Sequence, residues 1–254
     1  MSARILAVAN RKGGTAKTTT VVNLAAALAD RGLRVLLVDL DTQGHAGLGF
    51  GVRAAPGEPT VHDLYRGTGA VDLRRAIRGT TVPRIDILPA DRGFSGPDGA
   101  VAPLGLATAL MPLAADYAIT LIDTAPTADA LLINALASAH HVLVPTQLHY
   151  LAVDGVGQFA RSYFHVATTL NPELRGLSIM PVQVDLRITM QREALQRLEA
   201  RFGRERLLPG IRSDIALAEA FGREKPLKYL KPRSRAVHDF DVLCSHVMEK
   251  VFAI

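Results

Sequence analysis

Cysteine is almost missing: the 254 residues contain one, Cys244. That excludes an intramolecular disulfide and any single-chain zinc or iron–sulfur site built on four cysteines. A reducing, cytoplasmic compartment is the simplest expectation. Tryptophan is absent and aromatic residues make up only 5%, too few for a surface that binds single strands by stacking on bases. No run of 18 residues is apolar enough to span a bilayer. The short apolar run in Met1–Asn10 meets Arg11 and Lys12 rather than a small-residue cleavage site, so it does not read as a signal peptide. Internal repeats, linkers and low-complexity tracts are also lacking.

What is present suits one globular unit. Hydrophobic residues reach 48% and charged residues 21%, enough to bury a core and too balanced for global disorder. The length fits a single domain over residues 1–254. The net charge of +5 is concentrated at one end. Residues 186–254 hold 14 Lys or Arg against 9 Asp or Glu, whereas residues 1–185 hold 15 of each. A solvated face or a polyanion-binding face would both produce that bias.

Apolar runs alternate with helical periodicity along the chain. Strands are expected at Ile5–Ala9, Leu33–Asp39, Ile85–Pro89, Tyr117–Asp123, Val142–Pro145 and Leu177–Val184, with a last one at Leu207–Ile211. Helices are expected at Thr18–Arg31, stopped by Gly32, and at Leu106–Ala115, Ala128–Ser138, Val153–Leu170, Gln191–Phe202 and Ala236–Phe252. Val61–Tyr65 and Val71–Ile77 read as short helices, and Asp91–Gly105 as a Gly- and Pro-rich loop. Continuous apolar strands between helices predict an α/β fold: a doubly wound, mostly parallel sheet covered on both faces.

The sharpest feature joins the first strand to the first helix: Arg11-Lys12-Gly13-Gly14-Thr15-Ala16-Lys17-Thr18-Thr19. Small residues let backbone N–H groups approach phosphate oxygens, and the helix N-terminus adds partial positive charge. Lys17 would lie against the β- and γ-phosphates, and the Thr18 hydroxyl would bind Mg²⁺. Ala16 replaces the glycine usual before the lysine, and a positive φ there would strain it. Three acids accompany the loop. Asp39 and Asp41 sit two apart at a strand end and would face the same way. Asp123 ends another apolar strand, where a carboxylate can hold Mg²⁺ directly or through water.

Lys12-Gly-Gly-x-x-Lys17-Thr-Thr resembles the deviant Walker A motif of the ParA/MinD group of P-loop ATPases. Val38-Asp-Leu-Asp-Thr-Gln-Gly44 is similar to that group's DxDPQG element, with Thr42 in place of proline. Ile119–Pro126 resembles its Walker B and switch II, and Leu143–Gln147 with Ala152–Gly155 its PVQ and ALEG stretches. Ile211–Ala220 and Pro232–Arg235 resemble the C-terminal stretch of ParA proteins that partition chromosomes and plasmids. The resemblance implies Mg²⁺-dependent hydrolysis of ATP to ADP and phosphate. By it, Lys12 crosses to the phosphates of a second subunit, Asp41 orients the attacking water and Asp39 supports the magnesium shell. Thr124 to Pro126 would sense the γ-phosphate, and Ile211 and Ser213 would touch the adenine. A homodimer bridged by ATP, an adaptor resembling ParB that stimulates slow turnover, and a place on the nucleoid complete the expectation.

Arginines and lysines crowd the last quarter without zinc-finger spacing or a recognition helix. Non-specific binding to double-stranded DNA is therefore expected, with Arg187, Arg212, Lys225, Lys228 and Arg233 as candidate contacts. The rival within the resembled group is a MinD-like membrane helix. Here residues 240, 243, 247 and 251 make an apolar stripe, but Asp239, Asp241 and Glu249 outnumber Lys250 beside it. A basic face for anionic lipid is missing, so core packing is expected and no membrane partner. A small-molecule ATP-dependent ligase on the same scaffold is the competing enzyme class. His140 and His141 would point to opposite sides of a strand and share no metal.

Overall fold

A computed structural model describes residues 4–67, 71–127 and 130–252. Eight strands form one sheet: β1 (Arg4–Val8), β2 (Val35–Asp39), β3 (Arg78–Gly79), β4 (Ile85–Leu88), β5 (Ile119–Asp123), β6 (His141–Gln147), β7 (Gly176–Val184) and β8 (Ile211–Arg212). Their spatial order is β3-β4-β2-β5-β1-β6-β7-β8. The β3–β4 pair is antiparallel and the other pairs are parallel. The helices among the described residues are α1 (Lys17–Asp30), α2 (His45–Leu48), α3 (Gly105–Leu110), α4 (Ala130–Ser138), α5 (Ala152–Thr169), α6 (Thr189–Phe202), α7 (Ala216–Gly222), α8 (Leu227–Leu230) and α9 (Arg235–His246).

Every residue of β2 and β5 is buried, as a sheet covered on both faces requires. The period of two sorts their side chains between two cores. Leu36 and Val38 join Ile122 and Val144 beneath Leu132 of α4 and Phe159 of α5. Val35 and Leu37 join Leu6 and Leu121 beneath Leu24 of α1 and Leu243 of α9. Each such side chain, fully buried, contributes about 1.5–3 kcal/mol.

The departures from expectation have local causes. Helix α1 stops one residue early, and Gly32 at φ +86° carries the closing turn, its N–H bonded to the Ala29 carbonyl. The helix expected to Ala115 breaks at Leu110 into a 3₁₀ turn, Met111–Leu113, around Pro112. The last strand is two residues long; Leu207 makes a single bridge to Ile179 and Ile211 then pairs with Val182. Val71–Ile77 tightens to a 3₁₀ turn at Leu73–Ala76. Helix α9 passes at Val247 into a wider π-type turn ending at Phe252. The start of the expected helix Ala128–Ser138 lies outside the described residues, as do Met1–Ala3 and the C-terminal pair. The stripe of α9 is core: Phe240, Leu243 and Val247 are buried. No helix among the described residues is long and apolar enough to cross a membrane.

Register places the site. In the parallel ladders Val8 stands beside Asp123, and Asp123 beside Asp39. The carboxyl ends of β1, β5 and β2 therefore meet at one edge, where open α/β sheets bind ligands. Leu243→Ala, at the centre of the α9 contact, is expected to cost about 2–5 kcal/mol in a urea titration. A loss under about 1 kcal/mol would contradict the placement of that stripe.

Candidate functional site

The chain leaves β1 into a loop anchored by Asn10, a buried residue. Its Nδ2 donates to the Pro145 carbonyl at 2.8 Å, and its Oδ1 accepts the Lys12 N–H at 3.1 Å. Gly14 turns at φ +72°, which glycine tolerates. Ala16 turns at φ 60°, ψ 30°, a left-handed geometry that costs an L-residue about 1–2 kcal/mol. The strain that the sequence raised as a condition is thus present. Helix α1 begins at the next residue with no side-chain cap and no acid in its first turn. Its first N–H groups and its dipole stay available to an anion. The loop lines a cavity of about 380 Å³ from Gly13 to Thr19, with Asp41, His45 and Pro126 opposite.

The two lysines occupy different settings. Lys17 is buried and its Nζ donates to the Lys12 carbonyl at 3.3 Å. Burial lowers its pKa, while Asp123 and Asp41 partly restore the charge. Lys12 is exposed on the rim, with Nζ 2.7 Å from His149 Nε2. His149 Nδ1 also accepts the Leu151 N–H at 3.1 Å. A neutral imidazole has one acceptor nitrogen, so the two contacts compete for a single lone pair. Burial and the charge of Lys12 both depress the His149 pKa.

The acids also divide. Asp39 is fully buried, and its oxygens accept the Asp41 N–H at 3.2 Å and the Gly47 N–H at 3.1 Å. Burial and the facing Asp123 hold its pKa well above the carboxylate range. With both oxygens engaged by backbone, Asp39 clamps the loop that carries Asp41 and does not face the cavity as a direct metal ligand. Asp41 lines the cavity and accepts the Gln43 N–H at 3.0 Å. Asp123 is fully buried, and neither of its oxygens receives a well-formed hydrogen bond. Burial foremost lifts its carboxyl to about 7; the nearby Thr18 hydroxyl pulls it back and the charge of Asp41 pushes it further up. The buried Thr124 hydroxyl donates to the Val8 carbonyl at 3.0 Å and ties β5's exit to β1.

Whether Mg²⁺ fits is decided by those donors. Among the described residues no three His, Cys, Asp or Glu side chains form a metal cage. A Thr18 hydroxyl and an under-satisfied Asp123 carboxylate beside a phosphate cradle suit a cation that keeps waters and takes phosphate oxygens. They fit Mg²⁺ and would not hold it without a polyphosphate.

A second cavity of about 440 Å³ shares Ala16, Thr19 and Phe221 with the first and contains the candidates Ile211 and Ser213. It is the right size and place for the rest of a nucleotide. The basic candidates are not equivalent. Arg187 chelates Asp185, at 2.6 Å and 2.9 Å, and Arg212 chelates Asp239, at 2.7 Å and 3.0 Å. Lys228 pairs with Asp30 and reaches Asp241 at 3.8 Å. Lys225 and Arg233 are exposed and belong to no ion pair among the described residues. The two adjacent histidines make separate contacts: His140 Nδ1 accepts the Ile5 N–H at 3.1 Å and His141 Nε2 meets Ser178 Oγ at 2.9 Å.

Sequence reasoning missed Asn10, His45, His149 and Phe221. Nothing in the composition of Pro145–Tyr150 announces the contact with Lys12. A histidine two residues past the end of β6 carries no motif, and Phe221 arrives from over two hundred residues away.

Residues 3–176 match the family described as AAA domain (AAA_31). The chain is 38% identical over 98% of its length to the chromosome-partitioning ATPase Soj of Thermus thermophilus, of which it covers 96%. It is 32% identical to the sporulation initiation inhibitor protein Soj of Bacillus subtilis, covering 96% of this chain and 98% of that one. Among solved structures it superposes with a TM-score of 0.84 on cobyrinic acid a,c-diamide synthase from Mycobacterium smegmatis with bound ATP analogue and magnesium. That match has 32% identity and covers 99% and 96% of the two chains.

Ala16→Gly is expected to stabilise the nucleotide-free protein by about 0.5–1 kcal/mol in a urea titration, the relief of left-handed strain exceeding the added unfolded-state freedom. Destabilisation would contradict the strain.

Proposed function

Because the chain belongs to the AAA-domain family and to its Soj/ParA group of partitioning ATPases, we propose that it hydrolyses ATP with Mg²⁺ to control dimerisation and DNA binding. The carrying observation is the pairing of unlike sites at one sheet edge. Lys17 lines the cradle and the fully buried, poorly satisfied Asp123 stands behind it, while Lys12 is on the rim, exposed and held by one contested contact. Residues 1–254 act as one unit.

Gly13 to Thr19 bind the phosphates by backbone N–H groups and by Lys17. Mg²⁺, when bound, neutralises charge on the β- and γ-phosphates. Thr18 and Asp123 would hold it, and Asp39 acts from behind by fixing the Asp41 loop. Asp41 orients the attacking water. Lys12 leaves His149 and places its cation on the phosphates of a second copy, where negative charge builds up. Ile211 and Ser213 border the nucleoside. Two basic faces then join, and double-stranded DNA is bound through its phosphates regardless of sequence. Such a cycle positions a cargo over the nucleoid, with an adaptor resembling ParB accelerating slow turnover.

Similarity to the M. smegmatis cobyrinic acid a,c-diamide synthase supports a second reading, transfer of a phosphoryl group to a small acceptor. It is the weaker one. Cys244 is fully buried and its thiol is pushed up by burial to about 11, which leaves no reactive thiolate for an amide-transfer half-reaction. Hydrolysis stimulated by a corrinoid acid and indifferent to DNA would establish the synthase reading instead.

Lys12→Ala is expected to abolish ATP-dependent dimerisation in analytical ultracentrifugation, and dimerisation at wild-type affinity would refute the role. Among the basic candidates, Arg233→Ala and Lys225→Ala should each lower the slope of log affinity for DNA against log salt by about 0.9, whereas Lys228→Ala should change it little. A salt-independent affinity would end the DNA reading.

A further inference from the structure

Gln147, the last residue of β6, spends both hydrogens of its side-chain amide on two partners. Its Nε2 donates to the Gly14 carbonyl of the phosphate loop at 3.1 Å and to Gln183 Oε1 at 2.9 Å. The Gly14–Thr15 peptide is trans, so its carbonyl and its N–H point in opposite directions. Holding the Gly14 carbonyl toward β6 therefore turns the Thr15 N–H the other way. Thr15 lines the phosphate cavity and Gln147 does not. One amide side chain thus fixes the aim of one anion-binding N–H.

The partner of Gln147 is itself held. Gln183 sits at φ +54°, a strained geometry for a residue with a Cβ, where the register between β7 and β8 shifts. Its carbonyl accepts Gln191 Nε2 at 3.3 Å. Gln191 Oε1 in turn accepts the Asp185 N–H at 2.8 Å, and the Asp185 carboxylate chelates Arg187. Arg192, next in sequence to Gln191, donates to the Leu186 and Arg187 carbonyls at 2.7 Å and 3.0 Å. A continuous chain of hydrogen bonds therefore runs from the phosphate loop to the turn that presents Arg187.

We propose that Gln147 is a positioning residue for the phosphate loop, and that Gln183 and Gln191 extend it into a bridge reporting the state of that loop to the basic segment 185–192. When phosphates draw the Thr15 N–H inward, the Gly14 carbonyl moves with it. Gln147 follows or lets go, and the load on the strained Gln183 changes. Leu186, Ile188 and Met190 are exposed apolar side chains, so the turn Asp185–Ile188 that leads into α6 is held by its own backbone bonds and by these polar contacts rather than by a core. The bridge rests on the reading of this segment as part of a DNA face only for its use; its existence is a property of the protein with nucleotide alone.

Hydrogen exchange of the full chain, with and without Mg²⁺ and a non-hydrolysable ATP analogue and with no DNA present, tests it. Protection of residues 12–19 reports nucleotide binding separately from the response at 185–192. In the wild type, exchange at 185–192 should change at least threefold on nucleotide addition. Gln191→Ala should lose that change while binding the analogue within twofold of wild type. Gln147→Ala should weaken analogue binding about tenfold, raise KM by a similar factor with kcat little altered, and lose the response at 185–192 at saturation. Wild-type protection at 12–19 without any change at 185–192 would overturn the bridge. Wild-type affinity in Gln147→Ala would overturn the positioning role. A response retained in Gln191→Ala would show that the signal does not pass through these side chains.

Discussion

Two carboxylates buried side by side are the constraint around which this molecule is arranged. Asp39 and Asp123 are both fully buried and are register partners at the ends of adjacent strands. Burial raises the pKa of both, Asp123 adds to the rise at Asp39, and Asp41 adds to the rise at Asp123. A fold selected for stability alone would put leucine there. The chain instead spends two backbone N–H groups on Asp39 and leaves both oxygens of Asp123 poorly satisfied. Unmet hydrogen-bonding capacity of this kind suits completion from outside, and beside a phosphate cradle the proposed partner is Mg²⁺ with its nucleotide.

The rest of the site follows from that pair. Burial lowers the pKa of Lys17, and the charges of Asp123 and Asp41 offset part of that. Ala16 accepts a left-handed turn so that α1 begins at Lys17 with open N–H groups. Lys12 stands apart from the acids, on the rim, tethered by a histidine that cannot accept from both of its neighbours. Stored strain, contested lone pairs and unpaired oxygens cluster within this one edge of the sheet, where a ligand can relieve them.

Much of this was legible in the chain. Continuous apolar runs such as Val35–Asp39 and Ile119–Asp123 read directly as doubly covered parallel strands, because burial on both faces removes the need for alternation. The phosphate loop was legible for a similar reason: small residues, a lysine and a threonine have few other uses between a strand and a helix. What composition does not encode is side-chain geometry across long separations. Asp39 reads like any strand-end acid, yet its oxygens are taken by Asp41 and Gly47 N–H groups. The basic residues look interchangeable in sequence, and only their partners separate Lys228, paired with Asp30, from Arg233, which has no ion pair among the described residues. Pro112 and the short β8 altered element lengths without moving the site, since local breaks on the periphery leave the central register intact.

The central claim is that the fold tolerates the Asp123 charge in order to hold magnesium and a polyphosphate. Thermal unfolding of wild type and Asp123→Asn, each with and without ATP and Mg²⁺, tests it most directly. The account predicts that Asp123→Asn melts at or above the wild-type temperature when nucleotide-free, because a buried charge has been removed. It also predicts that the variant loses most of the added stability that Mg²⁺ with ATP gives the wild type. A variant that is less stable without nucleotide, yet gains as much from Mg²⁺ and ATP as the wild type, would contradict it.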